Sequence, residues 1–289
     1  MKMKGIILAG GTGSRLHPIT KGICKQLLPI YDKPMIYYPL STLMLSGIRE
    51  ILIISDQFHL RSFKNLFGTG SDLGIEIDYK IQKEPNGLAE AFLIGEKFLN
   101  GSPSALILGD NFFYGNDLIK ILKRNNKVKK GAQIFAYQVK NPHQYGVVEF
   151  NSQKKVISIE EKPKIPKSNY VVTGLYFYDE TVIERVKTLK PSARGELEIT
   201  DLNKLYLDDK MLFTEVFGRG IVWLDTGTIE DLHEAGSFVR TIEKRQNLKI
   251  CCPEEIAWSN GWIDNEKLFK HAEKNNKSGY GKFLLNLLK

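Results

Sequence analysis

Gly5-Ile6-Ile7-Leu8-Ala9-Gly10-Gly11-Thr12-Gly13-Ser14-Arg15-Leu16, with Lys25 ten residues beyond Arg15, is the stretch on which the fold of this chain turns. The apolar run from Gly5 to Leu8 reads as a buried strand. Gly10, Gly11 and Gly13 then let the backbone turn tightly and approach a ligand closely. Such a turn aims N–H groups at an anion, and Arg15 and Lys25 add positive charge at the same place. That combination is a triphosphate cradle. It is not a Walker P-loop, because Lys-Ser/Thr would have to follow the second glycine and Ser14-Arg15 stands there instead. It is not a dinucleotide fingerprint, because Gly11-Thr12-Gly13-Ser14-Arg15-Leu16 ends in leucine. Taken alone, the stretch is also compatible with a strand-to-helix turn that happens to contain glycine.

Outward from this loop, strand-like and helical runs alternate through the first half. Residues 51–55, 75–81, 105–108 and 133–139 read as strands, and residues 34–45, 60–67, 88–99 and 117–124 as helices. This alternation predicts an α/β fold with a Rossmann-like, mostly parallel central sheet and helices on both faces. From Tyr145 the pattern changes. Residues 145–150, 156–160 and 171–178 are consecutive strands, a mixed or antiparallel addition. Helices are expected at 199–207 and 229–245, followed by a helical tail after Cys252 that carries Trp258, Trp262, Leu268, Phe283 and Leu287. No internal repeat, linker or low-complexity segment interrupts the chain.

The 289 residues are 42% hydrophobic and 26% charged, ordinary values for a soluble globular protein. No apolar run approaches the roughly 20 residues of a membrane span, and the first strand lacks the features of a secretion signal. Cys24, Cys251 and Cys252 form neither an even set nor a CxxC pair, which argues against a disulfide framework or structural zinc and for a reducing cytoplasm. A net charge of +8 suits phosphorylated small molecules as well as nucleic acid. The densest basic run, residues 123–130, falls where a helix should end and has no interleaved aromatics to stack on bases, so no nucleic-acid partner is expected.

Ligands of open α/β sheets bind beyond the carboxyl ends of the strands, and several polar residues fall there. Asp110 follows the run 105–109, and Asp225 follows Ile221-Val222-Trp223-Leu224. Two carboxylates beside phosphates are what Mg²⁺ requires. Each aspartate could equally cap the next helix or turn. Glu161-Lys162-Pro163 ends another strand; Lys162 can hold a phosphate and Glu161 can accept from sugar hydroxyls, or the two can form a surface ion pair. Gln82 has an amide suited to a base edge, with Gly87 leaving room for a ring, or it is an exposed polar residue. Arg194, in the loop 191–196, is a phosphate clamp or part of a plain turn. The histidines lack metal-ligand spacing, and no Gly-x-Ser-x-Gly elbow or cysteine–histidine pair provides a nucleophile. What remains is positioning and electrostatics around a transferring phosphoryl group.

With these residues assembled, the chain closely resembles the short-form glucose-1-phosphate thymidylyltransferases of the sugar nucleotidyltransferase superfamily. The resemblance runs from about Lys4 to about Asp264. It rests on the glycine stretch, Lys25-Gln26-Leu27-Leu28-Pro29, Gln82 to Ala89, Leu108-Gly109-Asp110-Asn111, Tyr145-Gly146-Val147-Val148, Glu161-Lys162-Pro163, Arg194 to Asp201, and Trp223 to Thr228, in that order. It implies that Leu8, Gly10, Gly11, Gly13, Ser14, Arg15 and Lys25 hold a nucleoside triphosphate and that Gln82 and Gly87 meet thymine. It implies that Asn111, Tyr145, Gly146, Glu161, Val172 and Trp223 line a sugar pocket. Lys162 and Arg194 would hold the sugar phosphate, and Asp110 and Asp225 would bind Mg²⁺. Arg15, Lys25, Lys162 and Asp110 would carry catalysis.

The implied reaction takes dTTP and α-D-glucose 1-phosphate to dTDP-glucose and pyrophosphate, feeding deoxysugar pathways such as that of L-rhamnose. A uridylyl- or other nucleotidyltransferase is the alternative on the same fold. A non-catalytic nucleotide-sugar sensor is the alternative of another class. The resemblance divides the chain into a catalytic domain over residues 1–250, with a nucleotide half to about 140 and a sugar half from about 141, and a helical tail over 251–289. It further implies a homotetramer with feedback through nucleotide near subunit contacts. The apolar tail would join that interface, and Arg219, between Gly218 and Gly220, is a candidate for the regulatory phosphate.

Overall fold

The computed structural model describes Met1–Lys289 except Thr12, Val128 and Lys129. One position of the glycine stretch and two of the basic run therefore lie outside the described residues. In chain order the elements are β1 (Lys4–Leu8), β2 (Pro29–Ile30), β3 (Lys33–Pro34), α1 (Tyr37–Leu45), β4 (Glu50–Ser55), α2 (Leu60–Phe67), β5 (Glu76–Ile81), α3 (Glu90–Ile94) and α4 (Glu96–Leu99). Then come β6 (Ser104–Leu108), β7 (Asn111–Gly115), α5 (Leu118–Asn125), β8 (Ala132–Gln138), β9 (Gly146–Phe150), β10 (Val156–Glu161), β11 (Tyr170–Tyr178), α6 (Val182–Thr188), α7 (Ile199–Asp208), β12 (Leu212–Val216) and β13 (Ile221–Asp225). Helices α8 (Ile229–Gln246), α9 (Pro253–Ser259), α10 (Asn265–Lys274) and α11 (Gly279–Leu287) close the chain.

The apolar runs become the centre of one large sheet. β6, β1, β4 and β5 lie side by side and parallel, the order expected when each strand returns through a helix. β11 then pairs antiparallel with β6 and carries the β8 and β9 strands on its other contacts, so the parallel half passes into an antiparallel half at β11. Alternation along the central strands fixes which face each side chain covers. Ile7, Ile51, Ile53 and Ile107 enter the core under α1, α2 and α5. Ile6, Leu52, Ile54 and Leu106 enter the core under α3, α6 and α7 on the opposite face. Each such side chain contributes roughly 1.5–3 kcal/mol on burial.

Some expectations shift in detail. The 88–99 helix is two short helices, α3 and α4, separated by Gly95, whose Cβ would sit 3.0 Å from the Ala91 carbonyl and 3.1 Å from Ile6. The loop after β1 enters a single 3₁₀ turn, Ser14–Leu16, with Gly13 left-handed at φ 59°. β2, β3, β7, β12 and α6 have no counterpart among the sequence-based assignments; among the described residues β7 pairs with β13 alone, in a two-stranded ribbon separate from the main sheet. The tail turns inward: Ile256, Leu268, Ala272 and Leu284 are buried in the same core as the central strands, with Trp258, Trp262, Phe283 and Leu287 packed against it. Among the described residues no helix is long and apolar enough to cross a membrane.

Candidate active site

A cleft opens along the carboxyl ends of β1, β5 and β6 and continues into the antiparallel half. One arm, about 190 Å³, is lined by Leu8, Gly10, Gly11, Gln82 and Gly87. The other, about 750 Å³, is lined by Arg15, Asn111, Tyr145, Gly146, Glu161, Lys162, Val172, Arg194, Trp223 and Asp225. Leu88, Leu108, Asp110 and Glu196 line both arms, so the two meet at Asp110. Gly13, Ser14, Lys25 and Arg219 are not among the residues that line either arm.

The junction is built by the β7–β13 ribbon. Its antiparallel register sets Asp225 opposite Asn111, and therefore beside Asp110. Neither aspartate is a helix cap. Asp110 runs directly into β7, and α8 is capped by Thr228, in a reciprocal capping box with Asp231. Thr226 instead donates to the Asp110 carbonyl at 2.8 Å and locks the two segments together.

Lys25, buried at 7% exposure, donates to Asp110 Oδ2, and Asn111 Nδ2 donates to Asp110 Oδ1 at 3.0 Å. Burial works to raise the Asp110 pKa, but the Lys25 ammonium and these hydrogen bonds outweigh it and hold the carboxyl below its ordinary range. Among the described residues no side chain or amide donates to the Asp225 carboxylate. Burial, followed by repulsion from Asp110, pushes it up to about 7, with Lys25 and Arg15 pulling the other way. A carboxylate pair in this condition is short of positive charge. Among the described residues no third His, Cys, Asp or Glu joins them. A hard cation such as Mg²⁺, which uses one or two carboxylates and completes its shell with phosphate oxygens and water, fits that donor set.

Asn111 is fixed from three sides. Its Oδ1 accepts from the Trp223 indole at 2.6 Å and from the Gly174 amide at 3.0 Å, while its Nδ2 reaches Asp110. A Cβ on Gly174 would come within 2.6 Å of that Oδ1. Trp223 itself stacks edge-on against Tyr145, with centroids 5.4 Å apart. Burial pushes the Tyr145 hydroxyl up to about 12, so it stays neutral.

Glu161 faces inward. It accepts from Thr200 Oγ1 at 2.6 Å and from Arg194 at 3.4 Å, while Lys162 is 3.9 Å away, beyond hydrogen-bond reach. Lys162 takes a left-handed φ of 44° just after β10. Arg194 is gripped by Glu198, with Nε to Oε1 at 3.0 Å and Nη2 to Oε2 at 2.7 Å. Sequence reading missed Glu198, although its i,i+4 spacing from Arg194 carries the signal. It also missed Glu196, Thr200, Asn203, Tyr176 and Gln26, whose roles depend on contacts from distant segments.

In the smaller arm, Gln82 is buried rather than exposed. Its Nε2 donates to Glu90 at 2.7 Å, and its Oε1 lies 2.8 Å from where a Gly10 Cβ would stand. Gly87 has φ +106°, and its missing Cβ makes room for the Leu197 backbone, 2.4 Å away, rather than for a ligand ring. Arg15 lies against Gly227, whose Cβ would come within 3.1 Å of the guanidinium.

These residues match a known family. A family model for nucleotidyl transferases covers residues 4–242. The chain belongs to the nucleotidyl transferase family. Among its relatives, the glucose-1-phosphate thymidylyltransferase of Neisseria meningitidis serogroup A is 59% identical over 99% of this chain and 100% of its own length. That of Mycobacterium tuberculosis is 56% identical over 99% of both. Among solved structures, a Bacillus anthracis protein in complex with sucrose is 42% identical, with a TM-score of 0.76 over 82% of this chain and 95% of its own. A UDP-glucose pyrophosphorylase complexed with UDP-glucose is 26% identical, with a TM-score of 0.73 over 84% of this chain and all of its own. The nucleotidyltransferase fold and activity class expected from the sequence therefore hold.

Proposed function

We propose that the protein is a glucose-1-phosphate thymidylyltransferase that joins dTTP and α-D-glucose 1-phosphate to give dTDP-glucose and pyrophosphate. The observation that carries this reading is the two-armed cleft meeting at Asp110, with relatives of that activity aligned over nearly the whole chain. The smaller arm takes the nucleotide through Leu8, Gly10, Gly11, Gln82 and Gly87, with Gly13 and Ser14 shaping the turn that delivers Arg15. The larger arm takes the sugar phosphate.

The reaction forms one phosphorus–oxygen bond and breaks another. An oxygen of the sugar phosphate attacks the α-phosphorus, and pyrophosphate departs on the opposite side. The attacking phosphate is already anionic, so no protein base is needed. The barrier is repulsion between anions, which Arg15 and Lys25 reduce on the triphosphate and Lys162 and Arg194 on the sugar phosphate. Asp110 and Asp225 are the residues that would hold Mg²⁺, which supplies charge neutralisation at the phosphates. Asn111, held by Trp223 and Gly174, directs its amide N–H towards the reacting region. Tyr145, Gly146, Glu161 and Val172 shape the sugar arm.

The experiment is a panel of nucleoside triphosphates and hexose 1-phosphates with pyrophosphate release as readout. dTTP with glucose 1-phosphate should be the fastest pair. Faster turnover with UTP would make the protein a uridylyltransferase, and binding without turnover would make it a sensor. The product would serve deoxysugar synthesis in the cytoplasm. We further propose a homotetramer, supported by exposed Ile119, Phe213 and Phe269, with a regulatory nucleotide near Arg219. Arg219 sits on the exposed turn at the end of the ribbon opposite Asp225. Light scattering should give a mass well above that of one chain, and an Arg15→Ala variant should still bind nucleotide.

A further inference from the structure

A second cavity, of about 510 Å³, lies apart from the cleft and shares none of its lining residues. Its walls come from the start of α1, the end of α2 with the Ser71–Leu73 turn that follows, and the tail helices α9 and α10. Glu254 of α9 lines it and is 6% exposed. The Oε2 atom of Glu254 accepts from the Tyr280 hydroxyl and, at 3.6 Å, from the Cys252 thiol. Burial pushes the Tyr280 hydroxyl far above its ordinary pKa, which keeps it a donor. Among the described residues nothing donates to Oε1, and no lysine, arginine or histidine pairs with the carboxylate.

The fold leaves other polar atoms unpaired, at Ser41, Ser104, Thr173, Asn203 and Thr214, but those are sealed from solvent. Glu254 Oε1 is not one of them; it keeps accessible surface in a residue that faces the cavity. Tyr37, on the same cavity, is in the same condition. Its hydroxyl has no hydrogen-bond partner among the described residues and is not sealed. It also lies near enough to Glu254 for the carboxylate charge to add to burial in pushing its pKa up. Two unpartnered groups from separate elements, α1 and α9, therefore share one space.

Their chemistry defines the occupant. A buried carboxylate without a cation is costly, and a ligand ammonium supplies both the missing charge and the missing donor. The basic groups at the mouth are committed elsewhere. Lys274 is exposed and faces Asp72 at 3.7 Å, and the His271 ring is bonded to the Asp72 carbonyl at 3.0 Å. Asn65, Thr69 and Ser71 offer amide and hydroxyl partners for further polar groups. The Tyr37 and Phe67 rings, with centroids 5.3 Å apart, offer an apolar face. The volume is that of a small-molecule site. We propose that this cavity binds a small hydroxylated primary amine, of aminohexose size, whose ammonium donates to Glu254 Oε1 and one of whose hydroxyls meets Tyr37.

The probe is glucosamine, compared with glucose and N-acetylglucosamine, which keep the hydroxyls and lack the ammonium. Calorimetric titration near neutral pH uses wild type, Glu254→Gln and Asn65→Trp. Asn65→Trp sets a bulky ring on the exposed side of α2 at the cavity mouth and leaves the Glu254 contacts intact. It keeps the test decisive if thermal unfolding shows that Glu254→Gln lowers stability. Glucosamine should bind wild type at least about tenfold more tightly than either neutral sugar. Glu254→Gln should reduce that preference below about twofold, and Asn65→Trp should abolish binding. Equal affinity for the three sugars, or no binding of glucosamine, would overturn the inference. So would glucosamine binding that survives either substitution in folded protein, because neither residue lines the cleft.

Discussion

On the reading proposed above, with nucleotide in the smaller arm and sugar phosphate in the larger, the two arms of the cleft recognise their ligands by different means. The nucleotide arm is mostly backbone. Gly10, Gly11 and Gly13 lie within four residues of one another, and their conformations come from a local turn with φ of +96° at Gly11 and +59° at Gly13. The sugar arm is mostly side chain. Asn111, Glu161, Arg194, Thr200 and Trp223 come from separate elements and hold one another through hydrogen bonds of 2.6–3.4 Å. Phosphates are similar in every triphosphate, so peptide N–H groups and a few cations suffice. Hydroxyls differ between hexoses only in position, and reading them requires donors and acceptors fixed in space by neighbours. The arms join where both kinds of construction meet, at Asp110.

The junction should be the most sensitive point. Asp110→Asn and Asp225→Asn should each lower kcat on the order of a thousandfold while substrate binding changes far less. Steady-state kinetics at saturating Mg²⁺ checks this, and near-normal turnover would remove that residue from the proposed metal site. Chelation of divalent cations should produce a similar loss in wild type, reversed by Mg²⁺.

Next is Arg15, which lines the larger arm and is proposed to act on the triphosphate through charge rather than backbone. Arg15→Ala should cost about 3 kcal/mol of transition-state stabilisation, seen chiefly in kcat. A pure rise in KM with unchanged kcat would mean that Arg15 binds ground and transition states equally.

Two glycines separate the arms directly. An alanine at Gly87 would place its Cβ against the Leu197 carbonyl at φ +106°, a strain of about 1–3 kcal/mol. Gly87→Ala should therefore lower Tm and raise KM for dTTP. Gly174→Ala would push Asn111 away and should raise KM for the sugar phosphate instead. Interchanged effects would break the division between backbone and side-chain recognition.

A smaller effect is expected at Glu198→Gln, which weakens the hold on Arg194. Because Arg194 is partly exposed, the loss should be about 1 kcal/mol or less in sugar-phosphate KM and should shrink at high salt. Outside both arms, Glu255 of α9 serves as a reference. Burial raises its pKa from 4.5 to about 7, so its contribution to stability is full below pH 4.5 and is lost as pH rises through 7. Glu255→Gln should raise Tm above pH 7 by about 2–4 °C, with no change in either KM.

The asymmetry of the arms also explains what could be read before folding. The runs at β1, β4, β6 and β11 were legible because strands covered on both faces are continuously apolar. The glycine loop was legible because its conformational demand is local. Asp110, Glu161 and Asp225 were legible as residues at strand ends. β7 was not, because Asn111-Phe112-Phe113-Tyr114-Gly115 follows β6 so closely that it has no turn signal of its own, and its partner, β13, lies more than a hundred residues away.

By itself, the sequence determined the alternating α/β order, the glycine turn and the set of charged residues at the cleft. These follow from periodicity, backbone freedom and residue chemistry, all of which act over a few positions. Only the tertiary structure decided that Asp225 faces Asp110, that Glu198 grips Arg194, that Gly87 yields to Leu197, and that the tail completes the core. Each of these depends on which distant groups share a small volume. That is set by the packing of the whole sheet and its helices, because a buried polar group takes its role from the partner opposite it.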